Sequence, residues 1–260
     1  MVDISGKSIE GKLNASSYTS THLERYKSHT EEGANDLFNR KHGKKLITDK
    51  EIKTMTEEEK MLAGMIYDPS DKTLLAGRKT AHRLCNVYNK IDDEDDPKRA
   101  EVIKSLIPDH NGVFLQGPIY FDYGKYTKFG KNCYANFNFT VLDCCPVNIG
   151  DNVFFGPNVS LYTPIHPYIP EERNLYINDK GITTDKEYAR PITIGNNCWI
   201  AGGVTICGGV TIGSGCVIGA GSVVTRDIPN NSLAAGNPCK VIREISPEDS
   251  VYKKTELFDK

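Results

Sequence analysis

Long apolar runs are missing from this 260-residue chain, and no stretch approaches the roughly 18 residues that a membrane-spanning helix requires. The opening residues, Met1 to Ile4, do not begin a signal peptide. Charge of one sign is also missing, because 32 Lys and Arg residues stand against 34 Asp and Glu residues. A general nucleic-acid or acidic-membrane binder needs a basic excess. The sequence therefore predicts a soluble, cytoplasmic protein with neither nucleic acid nor a membrane as its partner.

Cysteine pairs at metal-binding spacing are absent, although the chain has eight cysteines. There is no CxxC motif, and His166 is the only histidine beyond His110, so a Cys/His zinc cage is poorly supplied with ligands. Several cysteines, Cys198 and Cys216 among them, lie in runs of small and aliphatic residues. We therefore expect buried free thiols in a reducing compartment and no bound metal.

The two ends of the chain show no repeat. Residues 1–53 have few apolar side chains and no clear period, which predicts an extension without a core of its own, partly helical between His22 and Phe38. Residues 244–260 are expected to form a C-terminal tail. Neither segment carries a motif that indicates a function.

Residues 54–107 predict a helical cap of three helices. The capping-box pattern Thr56-x-x-Glu59 begins the first helix, whose apolar face is Met61, Leu62, Met65 and Ile66. Ser70 or Asp71 begins the second helix, and the inward positions are Leu74, Ala81, Leu84, Cys85 and Tyr88. Pro97 suits the first position of a third helix, which Pro108 ends.

A period of six follows residue 108, where 17 of the 23 glycines fall between Gly112 and Gly236. Apolar anchors recur every six residues at Ile194, Ile200, Ile206, Ile212, Ile218 and Val224. Earlier anchors are Phe129, Ala135 and Val141 and, after a slip of two residues, Ile149, Phe155 and Leu161. The repeat is interrupted by a long segment, residues 163–190, which we expect to be an inserted loop.

Short strands joined by tight turns explain this period. Each anchor and the small residue four positions later point inward, while Gly and Asn occupy turn positions that need a positive φ. Three units make one triangular coil of about 18 residues, and stacked coils make a parallel β-helix. We therefore expect a β-helix over residues 108–243, with Cys198 and Cys216 in its core.

The chain resembles the maltose/galactoside O-acetyltransferase family of hexapeptide-repeat acyltransferases over roughly residues 54–245. The matching stretches follow the family's order: Phe121-Asp-Tyr-Gly124, Tyr134-Ala-Asn-Phe-Asn138, Tyr162-Thr-Pro-Ile-His-Pro167, Pro191–Ile200 and Gly236–Arg243. Met61–Asp68 is similar to the family's N-terminal cap. The resemblance implies a mainly β fold, a left-handed parallel β-helix with an N-terminal helical cap, and a homotrimer.

His166 is the candidate general base. Pro164 and Pro167 flank it at the mouth of the inserted loop, and loops on a rigid solenoid are where function concentrates. The resemblance implies that His166 takes the proton of a sugar hydroxyl, which attacks the thioester of acetyl-CoA directly. Asn136 and a backbone N–H near Gly202 would then stabilise the oxyanion. An acyl-cysteine intermediate is the competing route, but no cysteine has a recognisable base partner in the sequence.

The resemblance also implies binding residues for both substrates. Acceptor-binding residues would be Asp68, Asp122, Asn136 and Trp199, and Trp199 is expected to point outward, near an active site between subunits. Acetyl-CoA, the one cosubstrate expected, would contact Gly202, Ala220, Thr225, Arg226, Lys240 and Arg243. Where the galactoside branch has a second acid, this chain has Cys144, which favours an acceptor of the maltose/glucose type.

Three alternatives compete with a sugar O-acetyltransferase. The first keeps acetyl transfer but changes the acceptor to a drug, an amino sugar or a serine hydroxyl. The second, metal-dependent hydration, requires three histidines and is discarded because His166 alone is placed for it. The third is a non-catalytic β-helix that serves as an assembly subunit, with the N-terminal extension as the contact.

Overall fold

The computed structural model describes residues 52, 54–92, 94 and 96–258, and residues 55–258 contain the fold. The predicted extension lies almost wholly outside the described residues, as does its helix between His22 and Phe38. The described part is mainly β, a left-handed parallel β-helix with an N-terminal helical cap, as predicted. None of its helices has both the length and the apolar character needed to cross a bilayer.

The cap has three helices, α1 (Glu57–Ala63), α2 (Lys72–Tyr88) and α3 (Asp96–Leu106). Thr56 begins α1 with the predicted capping box, and Gly64 ends it in the left-handed region at φ 74°. The prediction that Met65 and Ile66 continue the first helix is wrong because Gly64 stops it, and Ile66 is half exposed.

The second cap helix begins at Asp71, whose carboxylate accepts the N–H groups of Thr73 and Leu74 at 2.9 and 3.3 Å. Asp71 therefore takes the position for which Ser70 was the alternative. Four of the five predicted inward residues of α2 are buried, namely Leu74, Ala81, Cys85 and Tyr88. Leu84 is partly buried against the same core.

The β-helix has three faces, each a sheet of parallel strands stacked coil on coil. The first face contains β1 (Phe114–Leu115), β4 (Tyr134–Ala135), β7 (Phe154–Phe155), β14 (Trp199–Ile200), β17 (Val217–Ile218) and β19 (Ser232–Ala235), and the antiparallel β20 (Lys240–Glu244) closes it. The second face contains β2 (Ile119–Phe121), β5 (Phe139–Leu142), β8 (Ser160–Tyr162), β15 (Thr205–Cys207) and β18 (Val223–Val224). The third face contains β3 (Thr127–Phe129), β6 (Val147–Ile149), β13 (Ile192–Ile194) and β16 (Thr211–Ile212).

The predicted anchors form three columns inside the β-helix. On the third face Phe129, Ile149, Ile194 and Ile212 pair in register from coil to coil. All twelve anchors are buried, as are the residues four positions later except Ile165 in the loop neck; Cys198 and Cys216 are examples. The eight cysteines are free thiols, and Cys207 is the one that is partly exposed. The inward positions are therefore confirmed.

The expected coil length holds only for part of the solenoid. Trp199 pairs with Val217 18 positions later, but Phe114 pairs with Tyr134 and Tyr134 with Phe154 at spacings of 20. The two additional residues lie at the corner between the second and third faces, where the sequence shows its slip. This wide corner supports the inserted loop.

The tight turns use the residues that the sequence indicated. Asn132, Asn152 and Asn197 all have positive φ, between 54° and 57°. Their side-chain amides form a ladder, since each Nδ2 donates to the next Oδ1 at 3.0 Å. Short polar side chains tolerate this conformation, so one column of turns repeats along the solenoid.

The inserted loop leaves and returns through a two-stranded neck, in which β9 (Pro164–Ile165) pairs with the antiparallel β12 (Tyr188–Ala189). Between them lie the short helix α4 (Pro170–Arg173) and a hairpin of β10 (Tyr176–Ile177) and β11 (Thr183–Thr184). The tail consists of three 3-10 turns, Pro247–Asp249, Val251–Lys253 and Thr255–Leu257.

The cap packs on the wide corner through a second, smaller hydrophobic cluster. Its buried members come from the cap, from the corner and from the loop neck: Met61, Tyr67, Leu74, Tyr123, Cys144, Cys145 and Ala189. This cluster places the end of α1 directly against the returning arm of the inserted loop.

Candidate active site

His166 follows the neck strand β9 immediately, so the rigid β9–β12 pair determines where it projects. Its side chain is 52% exposed, which leaves an imidazole edge available to a ligand. The placement agrees with the expectation of a residue at the mouth of the loop that stacks on no coil.

Two carboxylates of the returning arm face the imidazole. Nδ1 of His166 lies 3.3 Å from Oδ2 of Asp185, and Nε2 lies 3.8 Å from Oε1 of Glu187. The shorter distance makes Asp185 the partner that orients the ring through an Nδ1–H group. Nε2 lies on the opposite edge of the ring, beside the carboxylate of Glu187.

The cap holds the loop through Tyr67 and Asp68. The hydroxyl of Tyr67 donates to Oε2 of Glu187 at 2.5 Å, and its backbone N–H donates to the Glu187 carbonyl at 3.0 Å. Asp68 accepts from Thr184 Oγ1 at 2.6 Å and from Asn178 Nδ2 at 2.8 Å. Cap and loop thus form one unit beside His166.

The carboxylate of Asp68, expected to bind the acceptor, is occupied by hydrogen bonds within the chain. Besides the loop contacts it accepts from the N–H and hydroxyl of Ser70 at 2.9 and 2.6 Å. Burial alone would raise the pKa of Asp68, but these hydrogen bonds outweigh it and hold the pKa at about 2. In this structure Asp68 anchors the loop.

Asp122 lines a cavity of about 280 Å³ between α2 and the second face, together with His82, Asn86, Tyr120 and Leu142. Its Oδ1 lies 3.3 Å from Nε2 of His82, and its Oδ2 lies 3.7 Å from the Cys144 thiol. The cavity therefore presents a carboxylate and an imidazole on an otherwise largely apolar wall, as a site for a small polar molecule would.

Three further predicted residues lie on one edge, the corner between the first and second faces. Gly202 follows β14 and Ala220 follows β17, one coil apart and in register. Asn136 follows β4 two coils before Gly202, and its register position corresponds to Ala201. A Cβ added to Gly156, in the coil between, would lie 2.5 Å from the N atom of Gly202, so the coils approach backbone to backbone.

Two hydrogen-bond donors on this edge are unpaired within the described chain. The Asn136 Oδ1 accepts the N–H of Phe137 at 2.7 Å, which leaves the Asn136 NH₂ group as a donor. Among the described residues, neither that NH₂ group nor the N–H of Gly202 meets an acceptor. Each is a donor of the kind that a developing oxyanion requires, and two coils, roughly 10 Å at the usual strand spacing, separate them along the solenoid.

The other residues predicted to contact acetyl-CoA lie at the C-terminal end of the solenoid. Thr225 and Arg226 follow β18 and are exposed, and Lys240 is exposed on β20. Arg243 instead forms a two-pronged ion pair with Asp249, with N–O distances of 2.6 and 2.7 Å. Its guanidinium is therefore engaged in this structure.

A single chain does not bring Asn136 and Trp199 to His166. Asn136 lies at the corner between the first and second faces, which we call the first corner. His166 lies at the wide corner, and the second face lies between the two corners. Trp199 is 54% exposed on the first face, so its predicted outward direction is correct. It pairs in register with Phe154, itself half exposed.

His166, Asp185 and Glu187 form the one group of three potential metal ligands in the described part of the chain, with ligand atoms within 4.8 Å. The imidazole distances are those of a histidine oriented by one carboxylate and stabilised by a second, and Tyr67 already occupies one Glu187 oxygen.

The cysteines lack the surroundings of a nucleophile. Burial raises the pKa of Cys144, and the neighbouring Asp122 raises it further. Burial also raises the pKa of Cys85 and Cys198 to about 11, and that of Cys207 above its ordinary value. Since the thiolate is the reactive form, these environments disfavour an acyl-cysteine route.

Sequence reasoning missed Asp185 and Glu187, which face His166, and Tyr67, which holds Glu187. A weak signal exists, because a general base needs an orienting group and the arm 184–190 contains two acids shortly before Pro191. Asp185 and Glu187 reach His166 only because the inserted loop folds back onto its own neck, and the repeat pattern does not describe that loop.

Two segments of the chain match models of known protein families. Residues 60–111 match the model of the maltose acetyltransferase hexapeptide capping motif, and residues 191–226 match the bacterial transferase hexapeptide of six repeats. These matches fall on the cap and on the solenoid after the inserted loop.

Similar proteins align over most of their length. Galactoside O-acetyltransferase of Escherichia coli is 41% identical over 199 residues, which cover 76% of this chain and 94% of that protein. A maltose O-acetyltransferase structure from Clostridium difficile is 41% identical at a TM-score of 0.67, over 74% of this chain and 98% of the other. A galactoside acetyltransferase structure in complex with coenzyme A is 41% identical at a TM-score of 0.66, over 75% and 94%. The helical cap, the hexapeptide solenoid and these identities together show that the chain belongs to the maltose/galactoside O-acetyltransferase family and is an acetyltransferase of that family.

Proposed function

We propose that this protein transfers the acetyl group of acetyl-CoA to a hydroxyl of a small sugar, without an acyl-enzyme intermediate. The observation that carries the proposal is the half-exposed His166 beside two carboxylates, at 3.3 and 3.8 Å from its ring nitrogens. This arrangement is that of a general base with an orienting partner, which acyl transfer to a hydroxyl requires.

The proton moves through one nitrogen. Asp185 holds the ring by Nδ1, so Nε2 accepts the proton of the attacking hydroxyl as its oxygen bonds to the thioester carbon. The imidazolium that results lies beside the carboxylate of Glu187, which lowers the energy of the charged state. The tetrahedral intermediate then expels the CoA sulfur, which receives the proton from Nε2 and leaves as the thiol.

The oxyanion of that intermediate is stabilised from the first corner. The N–H of Gly202 meets no acceptor in the described chain, and neither does the NH₂ group of Asn136, two coils away on the same edge. Donors that are in place before the reaction need no reorganisation when the charge develops.

Acetyl-CoA lies along this edge, with Ala220 beside the pantetheine arm and the cations Arg226, Lys240 and Arg243 near the phosphates. Two related structures support a CoA ligand: the galactoside acetyltransferase is complexed with coenzyme A, and a Vibrio cholerae hexapeptide-repeat acetyltransferase, 32% identical, is complexed with acetyl-CoA. Small side chains on the edge leave room for the arm.

The acceptor is a hexose of the glucose or maltose type, held in the cavity beside Asp122. The carboxylate of Asp122 and the imidazole of His82 suit sugar hydroxyls, and Tyr120 offers an apolar ring face. The Cys144 thiol lies 3.7 Å from the Asp122 carboxylate, at the position where the galactoside branch has an acid. A thiol accepts hydrogen bonds weakly, which disfavours a galactoside.

A complete site needs a second copy of the chain. Within one copy the second face separates the oxyanion donors from His166, whereas a neighbouring copy can bring its first corner to this wide corner. A threefold arrangement closes such heterologous contacts into a ring. Trp199 and Phe154, exposed on the first face, would be covered by that contact.

Loss of thioester absorbance during incubation of acetyl-CoA with a panel of acceptors tests the proposal. Glucose and maltose should be acetylated fastest, a β-galactoside more slowly, and an amino sugar, chloramphenicol and serine least. Mass spectrometry of the product should show an O-linked acetyl group. Preferred turnover of the drug or of serine, or turnover of no acceptor by intact protein that binds acetyl-CoA, would contradict it.

A further inference from the structure

Tyr67 is a buried tyrosine that the proposed chemistry leaves without a role. It is 2% exposed and packs in the small cluster with Met61, Leu74 and Ala189. Its hydroxyl does not reach solvent or substrate, because it donates to Oε2 of Glu187 at 2.5 Å. The residue therefore connects the helical cap to the carboxylate that faces His166.

The connection holds Glu187 at two points and the loop arm beside it at a third. The backbones of Tyr67 and Glu187 form an isolated β-bridge, with the Tyr67 N–H 3.0 Å from the Glu187 carbonyl oxygen. The tyrosine hydroxyl holds Oε2, which leaves Oε1 directed at Nε2 of His166, 3.8 Å away. One residue along the chain, Asp68 holds Thr184 at 2.6 Å, so the arm cannot slide past the cap.

We propose that Tyr67 is a positioning residue for acetyl transfer, which sets the Glu187 carboxylate against the catalytic imidazole. The inference rests on the proposed role of His166 as the base. The hydrogen bond from the Tyr67 hydroxyl fixes Oε2, so without it the carboxylate can turn about its last torsion relative to the His166 ring. The Glu187 charge that stabilises the imidazolium then moves away from Nε2 of His166, while the contacts to the substrates are unchanged.

The chain offers a matched control in Tyr126. Its hydroxyl also hydrogen-bonds a carboxylate, that of Glu58 in the cap, and so links the cap to the solenoid at another point of the wide corner. Tyr126→Phe removes the same atom from the same kind of contact without touching Glu187. A purely structural role for both hydroxyls predicts the same result in both variants.

The experiment compares Tyr67→Phe, Tyr126→Phe, Glu187→Gln and the double variant Tyr67→Phe/Glu187→Gln as full-length protein. We expect Tyr67→Phe to lower kcat about 5- to 50-fold, with the KM for acetyl-CoA within about twofold of the parent. Tyr126→Phe should leave both constants within about twofold. The double variant should be no slower than Glu187→Gln, because the hydroxyl acts through that carboxylate.

A second readout needs no acceptor. The imidazole ¹⁵N resonances of His166, assigned by their loss in His166→Gln, should shift in Tyr67→Phe and stay unchanged in Tyr126→Phe. Parent-like kcat and imidazole spectrum in Tyr67→Phe would overturn the inference while leaving the proposed function intact. An equal loss of kcat in the parent and Glu187→Gln backgrounds would also overturn it. If the parent acetylates no acceptor but the resonances shift as expected, the proposed function fails and the positioning role stands.

Discussion

The carboxylate of Asp143 accepts the backbone N–H of Tyr123 at 2.8 Å, across two successive coils of the wide corner. Its second oxygen accepts the hydroxyl of Thr127 at 3.0 Å, and the side chain has no exposed surface. Burial raises the pKa of Asp143 to about 6, although these hydrogen bonds oppose the rise. One carboxylate thus joins the two coils that carry the additional residues.

Asp143 should make stability depend on pH in an unusual direction. A carboxyl whose pKa is raised on folding from 3.8 to about 6 destabilises the fold when it is ionised. This penalty is fully present above about pH 6 and is relieved as the pH falls toward 4, to a limit of about 3 kcal/mol. Asp143→Asn removes the titrating group and keeps one acceptor oxygen.

Urea unfolding of both proteins at pH 7 and pH 5, at one protein concentration, measures this effect. The free energy of unfolding of the parent relative to Asp143→Asn should be higher at pH 5 than at pH 7. Other carboxylates respond to acid in both proteins, so only the difference between them is diagnostic. A difference that is the same at both pH values would contradict a raised pKa at Asp143.

His166→Ala should abolish the proton transfer and preserve the fold. A positioned general base contributes roughly 10²- to 10⁴-fold, or about 3–5.5 kcal/mol of barrier, so kcat should fall by that factor. Acetyl-CoA should still bind, as calorimetry would show, because its expected contacts lie on other coils. His110→Ala, in the turn before β1, serves as the matched control.

Near-normal kcat in an intact His166→Ala protein at pH 7 would refute the mechanism. Activity that survives there but is lost in a Cys144→Ala or Cys207→Ala variant would indicate the acyl-cysteine route instead. His110→Ala should behave as the parent in either case.

The basic end of the solenoid should affect the binding of acetyl-CoA more than its turnover. Lys240→Ala and Arg243→Ala should each raise the KM for acetyl-CoA about 3- to 10-fold with little change in kcat, because phosphate contacts remote from the thioester act equally in ground and transition states. Asp249 competes for Arg243 and has its own pKa held at about 2 by that ion pair. Asp249→Asn should therefore lower the KM, and an unchanged KM in all three variants would place the CoA site elsewhere.

Subunit mixing tests whether the active site is shared in a trimer. His166→Ala and Asn136→Ala proteins should each be nearly inactive alone. If each site uses His166 of one subunit and Asn136 of the next, random mixed trimers regain about a quarter of their sites. Co-expressed proteins that stay inactive, or sedimentation showing an active monomer, would contradict a shared site.

The extension should be dispensable for chemistry, because it is poor in apolar residues and lies outside the stretch similar to the family. Protein beginning at Thr54 should keep its kcat within about threefold. Sedimentation and circular dichroism should confirm an unchanged assembly and fold before rates are compared. A collapse of activity in such protein would show that the extension belongs to the site.

Local rules explain why so much of the fold was predictable. An inward anchor every six residues and an Asn or Gly at each positive-φ turn specify a coil without reference to distant residues. The same holds for Thr56 and Glu59, whose capping box needs only neighbours in sequence. The coil length was wrong for the first coils because the additional residues are held by Asp143, a contact between coils that no local pattern encodes.

The sequence by itself determined the solenoid, the cap and the identity of the candidate base, because a six-residue period and a proline-flanked histidine are readable along the chain. Only the tertiary structure decided which groups act on that histidine. Asp185 and Glu187 reach His166 because the inserted loop folds back on its neck, and Glu187 is oriented because the cap packs Tyr67 against it. The roles of Asp68 and Arg243 were likewise decided by partners distant in sequence or in the tail. Such contacts depend on how the cap, the inserted loop and the tail pack in three dimensions. The chemistry of the single side chains does not specify that packing.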